Sequence, residues 1–472
     1  MTPELIDALS RIVGARWVRS RRAELATFTM DGLPTRESYP GVVVLPADGV
    51  QVREVVRLLH LVGVPFVARG AGTGLSGGAV ADPGAVLIAL TRMNRVLAVD
   101  PVRRRATVQP GVINARLTEA AAPHGLHYVP DPSSQAACTV GGNVAENAGG
   151  PHCLKYGVTT NHVVELEVVL ADGEVIRLGS PSGEPWGPDL VGLFVGSEGM
   201  FGIATEIVVR LEPVPTSVRT MLADFPSVRA ASEAVSRVIA SGIVPAAMEM
   251  MDQSCVAAVE ASIYAAGYPT DAAAVLLVEL DGSADAVEAE TAIVTALLRE
   301  RGARDVQAAS TPADRARLWQ GRKKAFGAMG RIAPDLAVQD AVVPRSVLPD
   351  IMDRIAEIRD RHGLTISNVF HAGDGNLHPN ISFDRHDRDV AERVHVACRE
   401  IMAACVEAGG SITGEHGVGS DKIDYMAWIF DPDTLAMMRA VRRAFDPAER
   451  ANPGKVVPLH ACREWRAAPG VA

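Results

Sequence analysis

Phe66-Val-Ala-Arg-Gly-Ala-Gly-Thr-Gly-Leu-Ser-Gly-Gly78 decides how the first half of this chain reads. The short apolar run Pro65–Ala68 reads as a strand, and it feeds directly into a glycine-rich loop. Gly72 to Gly77 satisfies GxGxxG, a pattern that binds a dinucleotide only where a helix N-terminus faces the pyrophosphate. No such helix follows. Pro83-Gly84 comes soon after, and Ala85-Val-Leu-Ile-Ala-Leu90 reads as another strand. A Rossmann NAD site therefore does not fit, and without a GxxxxGK run a P-loop is excluded as well. What remains is a loop with five glycines in nine residues (70–78), whose backbone N–H groups can form a nest that cradles phosphate oxygens without any helix.

Outward from the loop, short elements alternate. Val42–Leu45, Val86–Leu90, Val96–Val99 and Ala106–Val108 read as strands. Val50–Val62 carries Val52, Val55, Val56, Leu58 and Leu59 at helical spacing, and Val112–Ala121 is a second helix. Gly141–Gly150, rich in glycine and asparagine, leaves little room for regular structure. Asp172-Gly173 predicts a hairpin between Val163–Leu170 and Glu174–Leu178, and Phe201–Leu211 is one more strand. Pro213 and Pro215 mark a boundary near residue 215. Beyond it, strands Thr220–Phe225 and Ala274–Leu280 with helices Val228–Ala240 and Ala284–Arg301 suit an open sheet covered on one face, an α+β arrangement. Asp387–Ala408 is a helix ending at Gly409-Gly410, and the tail adds a helix and the loop Asn452-Pro-Gly-Lys455.

The 472 residues set a prior of about three domains, and 48% apolar content is that of a soluble globular chain. Forty-six basic against fifty-six acidic residues give a net charge of −10, which argues against non-specific nucleic-acid or anionic-membrane binding. Six cysteines (Cys138, Cys153, Cys255, Cys398, Cys405, Cys462) contain no CxxC pair. That scatter points to a reducing compartment and excludes a ferredoxin-type cluster in this chain. Met1–Arg22 lacks an apolar h-region and reads as a short amphipathic helix, not a signal peptide. No 18-residue apolar window exists to span a membrane, so a cytoplasmic protein is expected.

His371-Ala-Gly-Asp-Gly-Asn-Leu-His378 is the stretch of the second half that carries most chemistry. If Asp374-Gly375 is a two-residue turn, 371 pairs with 378 and both imidazoles share a face with Asn376. That suits one divalent ion, although the same residues would also serve as ordinary polar residues of a turn. A third ligand should be acidic, and Ser411-Ile-Thr-Gly-Glu-His-Gly-Val-Gly419 supplies Glu415 and His416 on a glycine-flanked loop.

The glycine loop resembles the pyrophosphate loop of vanillyl-alcohol-oxidase type FAD domains. So do Pro130-Asp-Pro-Ser-Ser134, Cys138 to Gly150, Leu154-Lys-Tyr-Gly-Val-Thr159 and Leu193-Phe-Val-Gly-Ser-Glu-Gly-Met-Phe-Gly-Ile203. Over roughly residues 40 to 458 the chain is similar to the FAD-linked 2-hydroxy-acid dehydrogenases and oxidases, nearest the branch of the glycolate oxidase FAD-linked subunit and D-lactate dehydrogenase. The resemblance implies an α+β fold: a two-subdomain FAD-binding domain plus an antiparallel-sheet cap domain. Its divisions would be a helical segment over 1–40, the FAD domain over 41–215, a cap carrying substrate and metal over 216–430, and a segment over 431–472 returning to the FAD domain.

It also implies roles. The backbone of Arg69, Gly70, Ala71, Gly72, Thr73, Gly74, Leu75, Ser76 and Gly77 would hold the pyrophosphate. Pro130, Asp131, Pro132, Ser133, Thr139, Gly142 and Asn143 would line isoalloxazine and ribityl, with Ala145 and Gly149 allowing close approach. Gly199, Gly202 and Ile203 would close over the adenine side, and Lys455 would stand near the flavin ring. With no histidine between His60 and His124, the FAD should be non-covalent. His371, His378 and Glu415 would bind a divalent metal such as zinc or manganese. Asn376 would contact substrate, His416 act as base and Arg322, in Trp319-Gln-Gly-Arg322, pair with the substrate carboxylate.

Two departures matter. Phe326 and Val338 stand where the hydroxyglutarate branch holds a distal carboxylate, which speaks for glycolate or lactate instead. Asn161 replaces an aspartate usual after Lys-Tyr-Gly. Electrons would leave to a quinone, a cytochrome or a separate iron–sulfur subunit, and a partner could hold the protein peripherally at a membrane. The alternatives are D-2-hydroxyglutarate as substrate, a flavin-binding subunit whose catalysis lies in a partner, and a metal-dependent hydrolase.

Overall fold

Strand Phe66–Arg69 lies parallel to Val86–Ala89, which pairs in parallel on its other side with Val42–Val44. Parallel neighbours need a crossover of a dozen or more residues, and here the glycine loop is that crossover. The computed structural model describes residues 1–183 and 187–458 of the chain. By contacts these form two units. The first comprises Met1–Gly149, Val158–Pro213 and the described chain from Glu415 onward; the second comprises Gly150–Gly157 and Val214–Gly414. The expected unstructured last dozen residues lie outside the described chain.

Within the first unit, helix Gly49–Val62 starts where the Asp48 carboxylate accepts from Gln51 N at 2.9 Å and stops at Gly63, φ +74°. Its buried face (Val52, Val55, Val56, Leu59) packs on the strands together with Leu5, Leu9 and Val13 of helix Pro3–Val13. A second sheet, antiparallel, runs in the order Val96–Asp100, Arg105–Val108, Ile203–Arg210, Val163–Val169, Val175–Gly179. The Asp172-Gly173 turn joins its last two strands as expected, with Gly173 at φ +88°.

The reading of Gly141–Gly150 as irregular needs correction. Val140–Glu146 is a helix, opened by Thr139 accepting from Gly142 N at 3.2 Å and closed by Asn147 in the left-handed region at φ 51°. Glycine there serves packing: a Cβ on Gly141 would come within 2.5 Å of the Pro110 ring. Low helix propensity was overridden by a cap at each end and a close neighbour.

The second unit is built on a broad antiparallel sheet, in the order Asp305–Ala308, Ser217–Phe225, Ala274–Gly282, Ala247–Asp252, Thr365–His371, Asn376–Leu377, Ala341–Val342. Helices Val228–Ala240 and Ala284–Glu300 are capped by Ser227 and Ser283. Strand Ala274–Gly282 is buried at every residue but the last, yet it contains Glu279 and Asp281.

The expected hairpin around Asp374-Gly375 forms in a different register. His371 pairs with Asn376 and Asn368 with Pro379, so Ala372-Gly373-Asp374-Gly375 is a four-residue connection. Asp374 Oδ1 accepts from Asn376 N at 3.1 Å, and Gly375 takes φ +78° against the Val343 carbonyl. A slip of two residues keeps every side chain on its face, so His371, Asn376 and His378 still share one. No helix of the described residues is long and apolar enough to cross a membrane.

Candidate active site

Two clusters gather the residues singled out above, one in each unit. In the first, Arg69 is a strut beneath the glycine loop: its guanidinium donates to Met30 O at 2.7 Å and Ala79 O at 3.2 Å. Gly72 (φ +71°) rests on that guanidinium and Gly70 on the Thr139 hydroxyl, so a Cβ at either would collide. Around Gly74, by contrast, a Cβ would meet nothing within 4 Å. Asn114 Nδ2 donates to Pro130 O at 2.9 Å and to Asn143 Oδ1 at 3.0 Å, tying the Pro130–Ser133 turn to the 139–143 segment. Ala145 O accepts from Glu198 N at 2.8 Å.

Gly202, φ +128°, is required by the sheet, because a Cβ there would lie 2.5 Å from Val169 O. Gly199 takes φ +75° and precedes strand Ile203–Arg210. The tail loop closes on the same place: Asn452 Nδ2 donates to Gly78 O at 3.0 Å, and buried Lys455 donates to Val80 O at 3.1 Å. Burial pushes the Lys455 ammonium down to about 8.

Sequence reading missed two buried carboxylates here, Glu146 and Glu198. Burial lifts Glu198 to about 7, and burial with the neighbouring Glu198 charge raises Glu146 well above the carboxylate range. Acids inside runs of glycine, alanine and asparagine were the available signal.

The second cluster stands on the central strands of the broad sheet. His371 Nδ1 lies 2.8 and 3.0 Å from the two oxygens of Glu249, and His378 Nδ1 lies 3.2 Å from Gln339 O. Carboxylate and carbonyl oxygens only accept, so each Nδ1 carries a proton and donates it to its buried partner. The rings stand perpendicular with centroids 5.2 Å apart. Two imidazoles held at Nδ1 by buried partners leave Nε2 as the ring nitrogen each would turn to a metal, a donor set that fits a divalent cation. Asn376 shares their face, buried, with Oδ1 lacking a hydrogen-bond partner, and a Cβ on Gly414 would overlap its amide.

Arg322, on helix Pro312–Lys323, is fully buried with Nη2 2.5 Å from Glu249 Oε2, an ion-pair distance, while none of its three nitrogens has a hydrogen-bond partner. Burial alone would raise the Glu249 carboxyl, but the Arg322 charge and then His371 outweigh it and hold it below the ordinary range. Phe326 presents its ring edge-on to His378 at 6.4 Å, and Val338 pairs with Asn380. Asp340, buried, accepts from Thr413 Oγ1 at 2.5 Å and Gly414 N at 3.0 Å, which fixes the residue preceding Glu415. Glu415 and His416 open the return segment of the first unit, with Oε1 and Nε2 3.9 Å apart.

His152 finds a structural partner. Its Nε2 sits 3.3 Å from Glu279 Oε1, and the same carboxylate takes Trp319 Nε1 at 2.6 Å and Arg315 at 2.7 and 2.9 Å. Burial would raise Glu279, and the His152 and Arg315 hydrogen bonds reverse that. Glu249, Glu279 and Asp340 escaped the sequence reading. The signal for the first was one acid inside the apolar run Ala247-Met-Glu-Met-Met251.

Residues 214–456 match the family model described as FAD linked oxidases, C-terminal domain, and residues 40–179 match an FAD binding domain. Glycolate oxidase subunit GlcD of Escherichia coli is 47% identical over 445 residues, spanning 94% of this chain and 89% of that one. D-lactate dehydrogenase of Anaerostipes hadrus is 34% identical over 469 residues, spanning 97% and 98%. p-Cresol methylhydroxylase with substrate bound superposes with TM-score 0.82 at 18% identity over 96% of each chain, a likeness of fold that bears out the vanillyl-alcohol-oxidase architecture.

Proposed function

The chain belongs to the FAD-linked oxidase family, and from that premise we propose that it oxidises a small 2-hydroxy acid, glycolate or D-lactate, to the 2-oxo acid. The observation that carries the substrate class is the arrangement on Glu249: a buried guanidinium, at ion-pair distance through Nη2 and with no nitrogen in a hydrogen bond, shares one carboxylate with the Nδ1–H of His371. A planar guanidinium of this kind suits a substrate carboxylate, and paired imidazoles suit a divalent cation.

FAD, when bound along the glycine loop and the Pro130–Ser133 and Thr139–Asn143 segments, supplies a hydride acceptor at N5. A divalent metal such as zinc or manganese, when held by His371, His378 and Glu415, makes a substrate hydroxyl more acidic. The residues do the rest. Arg322 binds the carboxylate, Asn376 orients the hydroxyl, and His416 removes its proton. Phe326 and Val338 offer a distal carboxylate no partner, which favours a short substrate. Lys455, tied to Val80, keeps a cation beside the loop that cradles the cofactor. An acceptor other than NAD, such as a quinone, a cytochrome or a separate iron–sulfur subunit, would reoxidise the flavin.

Anaerobic flavin bleaching tests the substrate. Glycolate or D-lactate should bleach the purified protein fastest and D-2-hydroxyglutarate most slowly. Bleaching by the hydroxyglutarate alone would reverse the assignment drawn from Phe326 and Val338. A second measurement tests attachment. Because the loop offers no histidine, acid precipitation should carry all the FAD into the supernatant, and flavin retained on the denatured chain would refute non-covalent binding.

A further inference from the structure

Glu249 lies in the middle of strand Ala247–Asp252, with buried Ala247, Met248, Met250 and Met251 on either side. A carboxylate in such a place is held only by its partners. The backbone register sets Glu249 directly opposite His371, and helix Pro312–Lys323 brings Arg322 to the same carboxylate. Oε1 and Oε2 receive the His371 Nδ1–H, and Oε2 also meets Arg322 Nη2. The two partners are the groups that the proposed function uses for metal and for substrate carboxylate, so this inference rests on that reading.

The sharing is incomplete in an informative way. A purely structural ion pair would engage the guanidinium fully, whereas only Nη2 comes to ion-pair distance of Glu249 and no nitrogen of Arg322 has a hydrogen-bond partner. It likewise takes only Nδ1 of His371, the ring nitrogen facing away from a ligand role at Nε2. We propose that Glu249 is a positioning residue that couples the two halves of the site: one carboxylate orients the His371 ring through Nδ1–H for the metal and aims Arg322 at the substrate. Glutamine cannot replace it. Its amide has a single oxygen for two N–H donors, and its NH2 would face one of them donor to donor. Aspartate keeps the charge on a shorter arm and should stand between.

The test uses the holoenzyme with wild type, Glu249→Gln and Glu249→Asp. Manganese alone is titrated into chelator-treated protein, and then KM and kcat for glycolate and D-lactate are measured at saturating manganese. In Glu249→Gln, manganese affinity should fall about 10- to 100-fold, the usual effect of losing a histidine's outer partner. At saturating metal kcat should recover further than KM, because added metal cannot re-aim Arg322. FAD content should stay at the wild-type level. Glu249→Asp should recover part of both losses, and it carries the test if the glutamine variant does not fold. A variant with lowered melting temperature but wild-type manganese affinity and KM would mark a structural role and overturn the proposal. Wild-type protein that takes up no manganese or zinc would sink the metal reading itself and this proposal with it.

Discussion

Replacing His378 with Ala leaves the protein yellow and unable to pass electrons from any 2-hydroxy acid to its flavin. The expectation follows from how the two clusters are built. The segments assigned to FAD, the glycine loop with Pro130–Ser133 and Thr139–Asn143, belong to the first unit, where Asn114 holds Pro130 and Thr139 caps Gly142. His378 belongs to the second, and its Nδ1 is spent on Gln339 O. Truncation therefore removes one imidazole from the proposed metal set and changes no residue assigned to FAD. Two remaining protein ligands hold a divalent ion poorly, and without it the hydroxyl keeps its ordinary acidity. A chelator should do the same to the wild type, and added manganese or zinc should restore it. His416→Ala should differ by keeping its metal while flavin reduction slows by roughly 10²- to 10⁴-fold, as for a lost general base. Metal analysis with stopped-flow flavin bleaching separates the two. Unchanged reduction after chelation and in His378→Ala would sink the metal assignment and leave the histidines acting directly on substrate.

How far the site could be read from sequence depended on whether a residue's role was local. The glycine loop was legible as backbone because no helix signal followed Gly77, and the chain runs from Phe66–Arg69 through it to the parallel strand Val86–Ala89. The histidine pair was legible for a subtler reason. The turn around Asp374-Gly375 was assigned two residues and takes four, yet period-2 alternation forgives an even slip, so His371 and His378 still meet. An odd slip would have parted them.

Non-local partners were not legible. Glu249 lies 122 residues from His371 in sequence, and only strand order brings them opposite. Nothing in Ala247-Met-Glu-Met-Met251 says which histidine or arginine its acid will meet. The helix Val140–Glu146 failed for the same reason in reverse. Its composition argued for a loop, whereas the Thr139 and Asn147 caps bound a helix and Gly141 serves Pro110, about thirty residues away, which leaves no room for a Cβ. Glycine marks both irregular backbone and close approach, and sequence alone does not separate the two.

That ambiguity makes the loop's own glycines the sharpest remaining test. Gly74→Val should give a folded, colourless protein. Gly74 lies outside the left-handed region, and a Cβ there would touch no other atom of the chain within 4 Å. The apoprotein should therefore accept a side chain at this position. A Gly74→Ala replacement should even gain about 0.4–1 kcal/mol from a less flexible unfolded chain. The space is open in the protein, and a pyrophosphate drawing on the loop's N–H groups must come close to this backbone. A branched side chain fills that approach. Gly77→Val supplies the contrast, since Gly77 has φ +75° and its Cβ would fall 2.5 Å from Ser420 Oγ. That variant should lose stability whether or not cofactor is present. The measurement is the ratio of flavin to protein absorbance, taken with the melting temperature of each apoprotein. Gly74→Val should keep the wild-type apoprotein melting temperature and lose nearly all flavin, while Gly77→Val loses both. Full flavin occupancy in Gly74→Val would show that another loop holds the pyrophosphate, and a collapse of its apoprotein stability would show that Gly74, like Gly77, is needed by the fold and not by the cofactor.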